Sequence, residues 1–396
     1  MGDRRPEFSE IRKLFPITDT RSYLYAGGMA PISLPARVAL VDWVDRWLFD
    51  PGYHKTDFFP DWRTARIRFA TLIGAHPDEI AVTDSTSRGN NLAAQMIEAS
   101  AGSNVVVDAT TYPSALYPWL QRARRDVEIR RATSQDEGLP SITDFERLVN
   151  DETVAITVSH VCRLTGFRHD LAALGELAHS RGAYLVVDAA QSAGAVEIDV
   201  AKENIDFLAC GGMKWLLGAP GVGFLFVRRD LAEALTPPQL GPLGLVQKQL
   251  RPEENDEGIE VDDLRAGAGR HELSTGNWAG IAATVKGMEI LLSVGMDRVA
   301  QRVRDLSSYL ITGLLTRGVS VRTPLDDERH AGVVAFTVEN PEELRLFLRN
   351  RGVDVWGFPE DNRMRADPHI YNDESDVDRL FEGIDDFARI ARSTKR

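Results

Sequence analysis

The sequence predicts an α/β protein: an open sheet whose strand ends carry the chemistry, then a smaller α/β unit near the C-terminus. Three observations lead there. Short, β-branched apolar runs at Tyr184–Val187, Ile205–Cys210 and Gly223–Val227 read as buried strands. The first of them ends on Asp188. The second ends in Gly211-Gly212, with Lys214 just beyond. Ligands of open α/β sheets bind outside the strand ends. An acid and a lysine at two such ends therefore mark the candidate site.

The other elements follow in order. Residues 1–22 form a charged arm leading to a short strand, Tyr23–Tyr25, and an Ala26-Gly27-Gly28 turn. Val38, Leu40, Val41, Val44 and Leu48 suit a helix over Pro35–Phe49. An aromatic-rich loop fills residues 51–60, and Asp61–Ile73 is a helix ended by Gly74. Glu79–Thr83 is a strand, residues 85–90 are a small-residue turn, and Asn91–Ile97 is an apolar helix. Strand Asn104–Asp108 leads to an aromatic segment over residues 111–119. Strand Val154–Val158 runs into residues 159–166, and a helix opening at Asp170 returns the chain to Tyr184. Residues 237–269 read as a long loop with a solvated acidic cluster: Glu253, Glu254, Asp256, Glu257, Glu260, Asp262 and Asp263. Ile281–Arg317 is helical with a break at Gly295; Met296, Val299, Val303, Leu306, Leu310 and Leu314 form one buried face. Strand Gly332–Val338, helix Glu342–Asn350, strand Val353–Trp356 and a last helix, Glu374–Arg392, build the small unit.

Bulk properties bound the function. The 396 residues, 43% hydrophobic and 27% charged, suit an ordinary globular protein with a large domain and a smaller one. A net charge of −13 argues against nucleic acid and against anionic membranes. No apolar run approaches a membrane span, and the charged N-terminus lacks a signal-peptide core. Cys162 and Cys210 allow one bridge at most, so a reducing, cytoplasmic setting is expected. Lysine occurs at only 13, 55, 202, 214, 248, 286 and 395, so few amines compete with Lys214.

An acid–lysine pair at strand ends suits pyridoxal 5'-phosphate. Lys214 can form a Schiff base, and Asp188 can keep the pyridine nitrogen protonated. A strand, a small-residue turn and a helix start at Ser85–Asn90 make an anion site from backbone N–H groups and the hydroxyls of Thr86 and Ser87. Taken singly, these are also a surface lysine, a strand-end acid and a helix cap. The Gly218–Gly223 segment, GAPGVG, is a weak dinucleotide signal, because a strand follows it where a helix should. A cofactor-free binding protein on this fold is the other competing class.

DAAQSAG at 188–194, followed by GGMKWLLGAPGVGFLFVR at 211–228, resembles the class V aminotransferase family of fold type I enzymes. That family includes cysteine desulfurases, kynureninases, isopenicillin N epimerase-like proteins and C–S lyases. The resemblance spans roughly residues 20 to 390. It implies a large domain with a mostly parallel central sheet sandwiched by helices, plus a small C-terminal α/β domain. The implied bounds are an arm over 1–30, the cofactor domain over 31–280 and the small domain over 281–396.

The resemblance also implies roles. Thr86, Ser87 and Arg88 hold the cofactor phosphate, Tyr112 stacks on the pyridine face, and Gln191 faces the ring's phenolic oxygen. Gly211, shortly before Lys214, is a further cofactor-binding residue, and His160 is a residue packed below the cofactor. Arg163 stands where relatives often have an asparagine, and could touch the phenolic oxygen or an acidic group of the substrate. Arg270–Asn277 resembles R-F-E-x-G-T-P-N, so Thr275 would reach the phosphate in a neighbouring subunit, implying a homodimer with composite sites. Arg365-Ala-Asp-Pro-His369-Ile-Tyr371-Asn372 resembles R-x-x-P-H-x-Y-N, whose arginine grips a substrate α-carboxylate.

The expected enzyme acts at the Cα of an amino-acid substrate, with Lys214 as base. Desulfurases need a mobile cysteine just before the carboxylate arginine, and Trp356–Arg363 has none. C–S β-elimination from an S-conjugated cysteine is therefore the leading expectation. A specialised biosynthetic pathway fits the departures at Tyr112, Arg163 and Met213. An aminotransferase or decarboxylating oxidative deaminase is the alternative, followed by isopenicillin N epimerase-like racemisation.

Overall fold

The computed structural model describes residues 4–50, 59–133, 139–246, 264–274 and 276–394. The acidic cluster at 253–263, most of the 51–60 loop and Thr275 lie outside the described residues.

Twelve strands are described: β1 Ser22–Tyr23, β2 Ile80–Thr83, β3 Asn104–Asp108, β4 Glu128–Ala132, β5 Thr153–Ser159, β6 Tyr184–Asp188, β7 Phe207–Gly211, β8 Gly223–Val227, β9 Val334–Thr337, β10 Val353–Asp354, β11 Trp356–Phe358 and β12 Arg363–Ala366. Seven form the central sheet, in the order β2-β8-β7-β6-β5-β3-β4. From β7 to β4 every pairing is parallel, and β8 runs antiparallel to both of its neighbours. This is the expected mostly parallel sheet flanked by helices.

Period-two alternation divides each strand between two cores. Leu185, Val187, Leu208 and Cys210 pack on one side of the sheet, and Val186 and Phe207 on the other. The helix Thr86–Met96 lies against β7 so closely that a Cβ on Gly89 would come within 2.7 Å of the Ala209 Cβ. Only glycine permits that approach.

β9, β11 and β12 form a second, antiparallel sheet in the order β11-β12-β9. β1 pairs in parallel with β10, and an isolated bridge joins Tyr25 to Asp367. The arm is thereby laced to the C-terminal unit. The break expected at Gly295 is present: helices Trp278–Val294 and Met296–Thr316 meet at 87° there, with Gly295 at φ 90°. No single helix among the described residues is long and apolar enough to cross a membrane.

Three differences from the sequence reading have physical causes. The helix expected over Asn91–Ile97 starts at Thr86, because the Ser85 side chain caps it by accepting from the Arg88 N–H at 3.2 Å. β4, with sequence EIRRA, is a sheet edge and so lacks an apolar period. β12, with sequence RMRA, has the same disguise although it is wholly buried.

Candidate active site

β6 and β7 end side by side, with Asp188 opposite Ala209. Asp188 is buried. Its Oδ2 accepts from Asn90 Nδ2 and Ser114 Oγ, both at 3.0 Å, and its Oδ1 accepts from the Ala190 N–H at 3.0 Å. The helices Thr86–Met96 and Pro113–Ala123 and the turn after β6 thus fix one carboxylate.

Lys214 follows β7 through a tight loop. Gly212 N–H donates to the Val222 carbonyl, and Leu217 N–H donates to the Lys214 carbonyl. Leu217 has φ 57°, a left-handed conformation uncommon for a branched residue and frequent near functional sites. The Lys214 amine is held below the usual lysine range, chiefly because burial disfavours its charged form, with Asp188 opposing. Among the described residues it makes no hydrogen bond.

Tyr112 supplies the aromatic face. Its ring centroid lies 5.8 Å from Lys214 Nζ and 5.2 Å from the Arg163 guanidinium carbon. The loop carrying it is clamped. Ser159 Oγ accepts from the Tyr112 N–H at 3.0 Å and pairs with Thr111 Oγ1 at 2.9 Å. Below it, His169 Nε2 meets Asp108 Oδ2 at 2.9 Å, and Asp108 Oδ1 accepts from the Thr110 N–H at 2.7 Å.

On the anion side, Thr86 and Ser87 open the helix Thr86–Met96. A Cβ on Gly211 would stand 3.0 Å from Thr86 Oγ1, so the helix start abuts the end of β7. Arg88 lies on the same first turn, and its Nη2 donates to Gln239 Oε1 at 2.5 Å.

Gln191 is engaged within the protein. Its Nε2 donates to the Gly27 carbonyl at 2.9 Å, and its Oε1 accepts from Trp215 Nε1 and Arg365 Nη2 at 2.9 and 3.1 Å. Among the described residues, its second Nε2 hydrogen has no partner. Arg365 is deeply buried and ion-paired to Asp367 at 2.6 Å. His160 is also wholly buried, and desolvation pushes its imidazole well below the usual histidine range.

This donor set fits pyridoxal phosphate: a desolvated amine, an anchored carboxylate, an aromatic face and a helix N-terminus beside a glycine that leaves room. The sequence model of the aminotransferase class-V family matches residues 54–380. The chain belongs to the class V aminotransferases. It is a pyridoxal-phosphate-dependent enzyme. It is 29% identical to an uncharacterized aminotransferase, YcbU, of Bacillus subtilis over 380 residues, covering 95% of this chain and 96% of that one. It is 27% identical to a probable cysteine desulfurase of Pyrococcus abyssi, covering 99% and 100%. Its fold superposes on an apo cysteine desulfurase from Thermococcus onnurineus with a TM-score of 0.85 at 25% identity, covering 98% of both chains.

Several neighbours of this class V site were not singled out in the sequence. Asn90 and Ser114 hold Asp188, Ser159 clamps the Tyr112 loop, and Asp367 pairs with Arg365. Asp367 alone had an available signal. It lies two residues from Arg365, which on a strand places both on one face.

Proposed function

We propose that this class V enzyme catalyses C–S β-elimination from an S-conjugated cysteine. The observation that carries the reading is the state of its thiols. The sequence holds two cysteines, and both are buried, Cys162 at 1% exposure and Cys210 at 0%. Burial, assisted by Asp188, pushes the Cys210 thiol far above its usual range, away from the nucleophilic thiolate. Neither sulfur is placed to accept one from a substrate, although relatives are named cysteine desulfurase.

β-Elimination needs no protein thiol. Bound pyridoxal phosphate supplies an electron sink at the substrate's Cα. Lys214, whose charged form burial disfavours, would remove the Cα proton. Asp188 would keep the ring nitrogen protonated, Tyr112 would stack on the ring, and Thr86, Ser87 and Arg88 would hold the phosphate. A thiolate leaves with little help. Incubation with a panel of S-substituted L-cysteines should release pyruvate, ammonia and thiol in equal amounts. An oxo acid formed with the thioether intact would replace elimination by transamination, and a D-amino acid would replace it by racemisation.

We also propose a homodimer. On the helix Leu34–Phe49, Val38, Val41, Val44, Trp47 and Phe49 stand exposed, Trp47 at 64% and Phe49 at 81%. An apolar face of this extent asks for a partner surface, and a second copy is the occupant we assign. Trp47→Glu should shift the mass measured by light scattering from dimer to monomer. The division at 1–30, 31–280 and 281–396 is offered on related grounds, since β1 of the arm pairs with β10.

A further inference from the structure

A guanidinium has five N–H donors, and Arg365 uses three within the protein: Nε to Asp367 Oδ1 at 2.6 Å, Nη1 to the Arg163 carbonyl at 3.1 Å and Nη2 to Gln191 Oε1 at 3.1 Å. Among the described residues, one hydrogen on each Nη has no partner, a fork for the α-carboxylate that the Arg365–Asn372 motif implies. Two more arginines stand beside it. Arg363 precedes Arg365 by two residues on β12, so both leave the same face of the strand. Arg363 Nη1 donates to the Leu164 carbonyl at 3.2 Å, next to the bond from Arg365 to the Arg163 carbonyl. The two clamp one turn, which the Gly166 N–H closes onto the Cys162 carbonyl.

Arg163 therefore leaves a fixed backbone. Its guanidinium carbon lies 5.2 Å from the Tyr112 ring centroid, and Lys214 Nζ lies 5.8 Å from the same centroid. Burial holds the Tyr25 phenol above its usual range, and the charges of Arg365 and Arg163 oppose it, so Arg163 is within electrostatic reach of Tyr25 too.

The charges here do not balance. Arg163 is half-buried and has no acidic partner among the described residues. Arg363 is 7% exposed, and its Nε has no partner. The acid it meets, Asp361 at 3.3 Å, is shared with Arg322 at 3.1 Å. Burial lowers the Arg363 guanidinium from its usual range, Asp361 opposes, and the charges of Arg322 and Arg163 add to the lowering. Three arginines thus share one described carboxylate, whereas Arg365 has Asp367 to itself. Positive charge left uncompensated in a partly desolvated site favours an anionic ligand.

We propose that the S-substituent of the substrate carries a carboxylate of its own, and that Arg163 receives it while Arg365 holds the α-carboxylate. This rests on the elimination reading above and narrows its substrate class to cysteine conjugates with an acidic S-substituent. The planar Arg163 fork matches a carboxylate with two bonds, and a neutral substituent leaves it unpaired. Arg363 is a positioning residue, which fixes the Leu164 carbonyl and adds its charge behind Arg163.

The test compares S-(2-carboxyethyl)-L-cysteine with S-(2-carbamoylethyl)-L-cysteine, an amide of the same shape without the charge. Rates on the holoenzyme are scored as loss of the L-conjugate, whatever the product, and pyruvate and thiol are measured separately. Affinity is measured by calorimetry with L-2-aminoheptanedioate and its 7-amide, in which a methylene replaces the sulfur and blocks elimination. The wild type should favour acid over amide roughly ten- to hundredfold in kcat/KM and in affinity, the range of a charge-assisted hydrogen bond. Arg163→Gln should bring both ratios to within about twofold of unity. Arg163→Lys should keep part of the preference. Arg363→Gln should lower both ratios a few-fold, and Arg363→Lys, which keeps the charge, should restore them. Unchanged ratios in Arg363→Gln would overturn the role given to Arg363. A wild type that treats acid and amide alike overturns the whole inference, as does an intact preference in Arg163→Gln. Should that variant not fold, the wild-type ratio decides alone. An acid preference without pyruvate or thiol would support the acid site and bring down the elimination reading by itself.

Discussion

The two ends of the site are built in opposite ways. At the Lys214–Asp188 end, two groups stand beyond the ends of neighbouring strands of the central sheet: the lysine amine makes no hydrogen bond among the described residues, and the carboxylate is held by Asn90, Ser114 and the Ala190 N–H. At the Arg365 end, each guanidinium nitrogen donates one hydrogen bond, to Asp367, to the Arg163 carbonyl or to Gln191. An ionisable group left unpaired at a strand end is available for chemistry. One already bonded within the protein also sets the geometry of its neighbours.

The largest effect tests the open end. Lys214→Ala should abolish turnover and the visible absorption band together, because no other described lysine lies near Asp188. Borohydride reduction of the wild type followed by peptide mass mapping should place the cofactor on Lys214. Mass added at another lysine would break the comparison at its start. Asp188→Ala should keep the band and lower kcat by about a hundredfold or more, since a preorganised charge opposite the reacting system is removed. Near-normal kcat would mean that Asp188 is not the ring's partner.

The closed end should answer in stability. Asp367→Asn leaves Arg365 buried without its counter-charge and should cost about 3–5 kcal/mol in chemical denaturation. A variant as stable as the wild type would show that the pair is not a fastener. Acid should loosen the same region. His369 Nε2 lies 3.0 Å from the Trp215 carbonyl, next to Lys214, and burial holds this imidazole down to about 4. His271 is likewise held at about 4 by burial. An unfolded histidine takes up its proton near 6.5. The unfolded state therefore binds more protons between about 6.5 and about 4, and stability should fall as pH drops through that window and be constant with respect to these groups above it. A flat melting temperature from pH 7 to 4.5 would contradict this. The smallest effect sharpens the comparison at the open end: Ser114→Ala removes one of three donors to Asp188 and should cost about 1 kcal/mol, a several-fold fall in kcat/KM.

Much of the open end was legible because its chemistry lies next to strong local signals. Asp188 closes the run YLVVD, Lys214 follows a glycine pair after FLACG, and Thr86 and Ser87 follow the strand IAVT. The closed end was less legible. RMRA carries no apolar alternation, so β12 was not seen as a strand, and the shared face of Arg365 and Asp367 went unread. The donors to Asp188 are 98 and 74 residues away in the chain, at separations where no local pattern links them.

By itself the sequence determined where the strands end and which reactive groups stand there, because hydrophobic period and residue chemistry are local properties. Only the tertiary structure decided which of those groups remain free. Whether an arginine meets a substrate or an aspartate depends on what the fold packs against it. The Gly27 turn of the arm, the Gln191 side chain after β6 and the Asp367 carboxylate after β12 come from three distant parts of the chain. Burial then fixes the outcome, since a charge removed from water keeps whichever partner the fold has placed within reach.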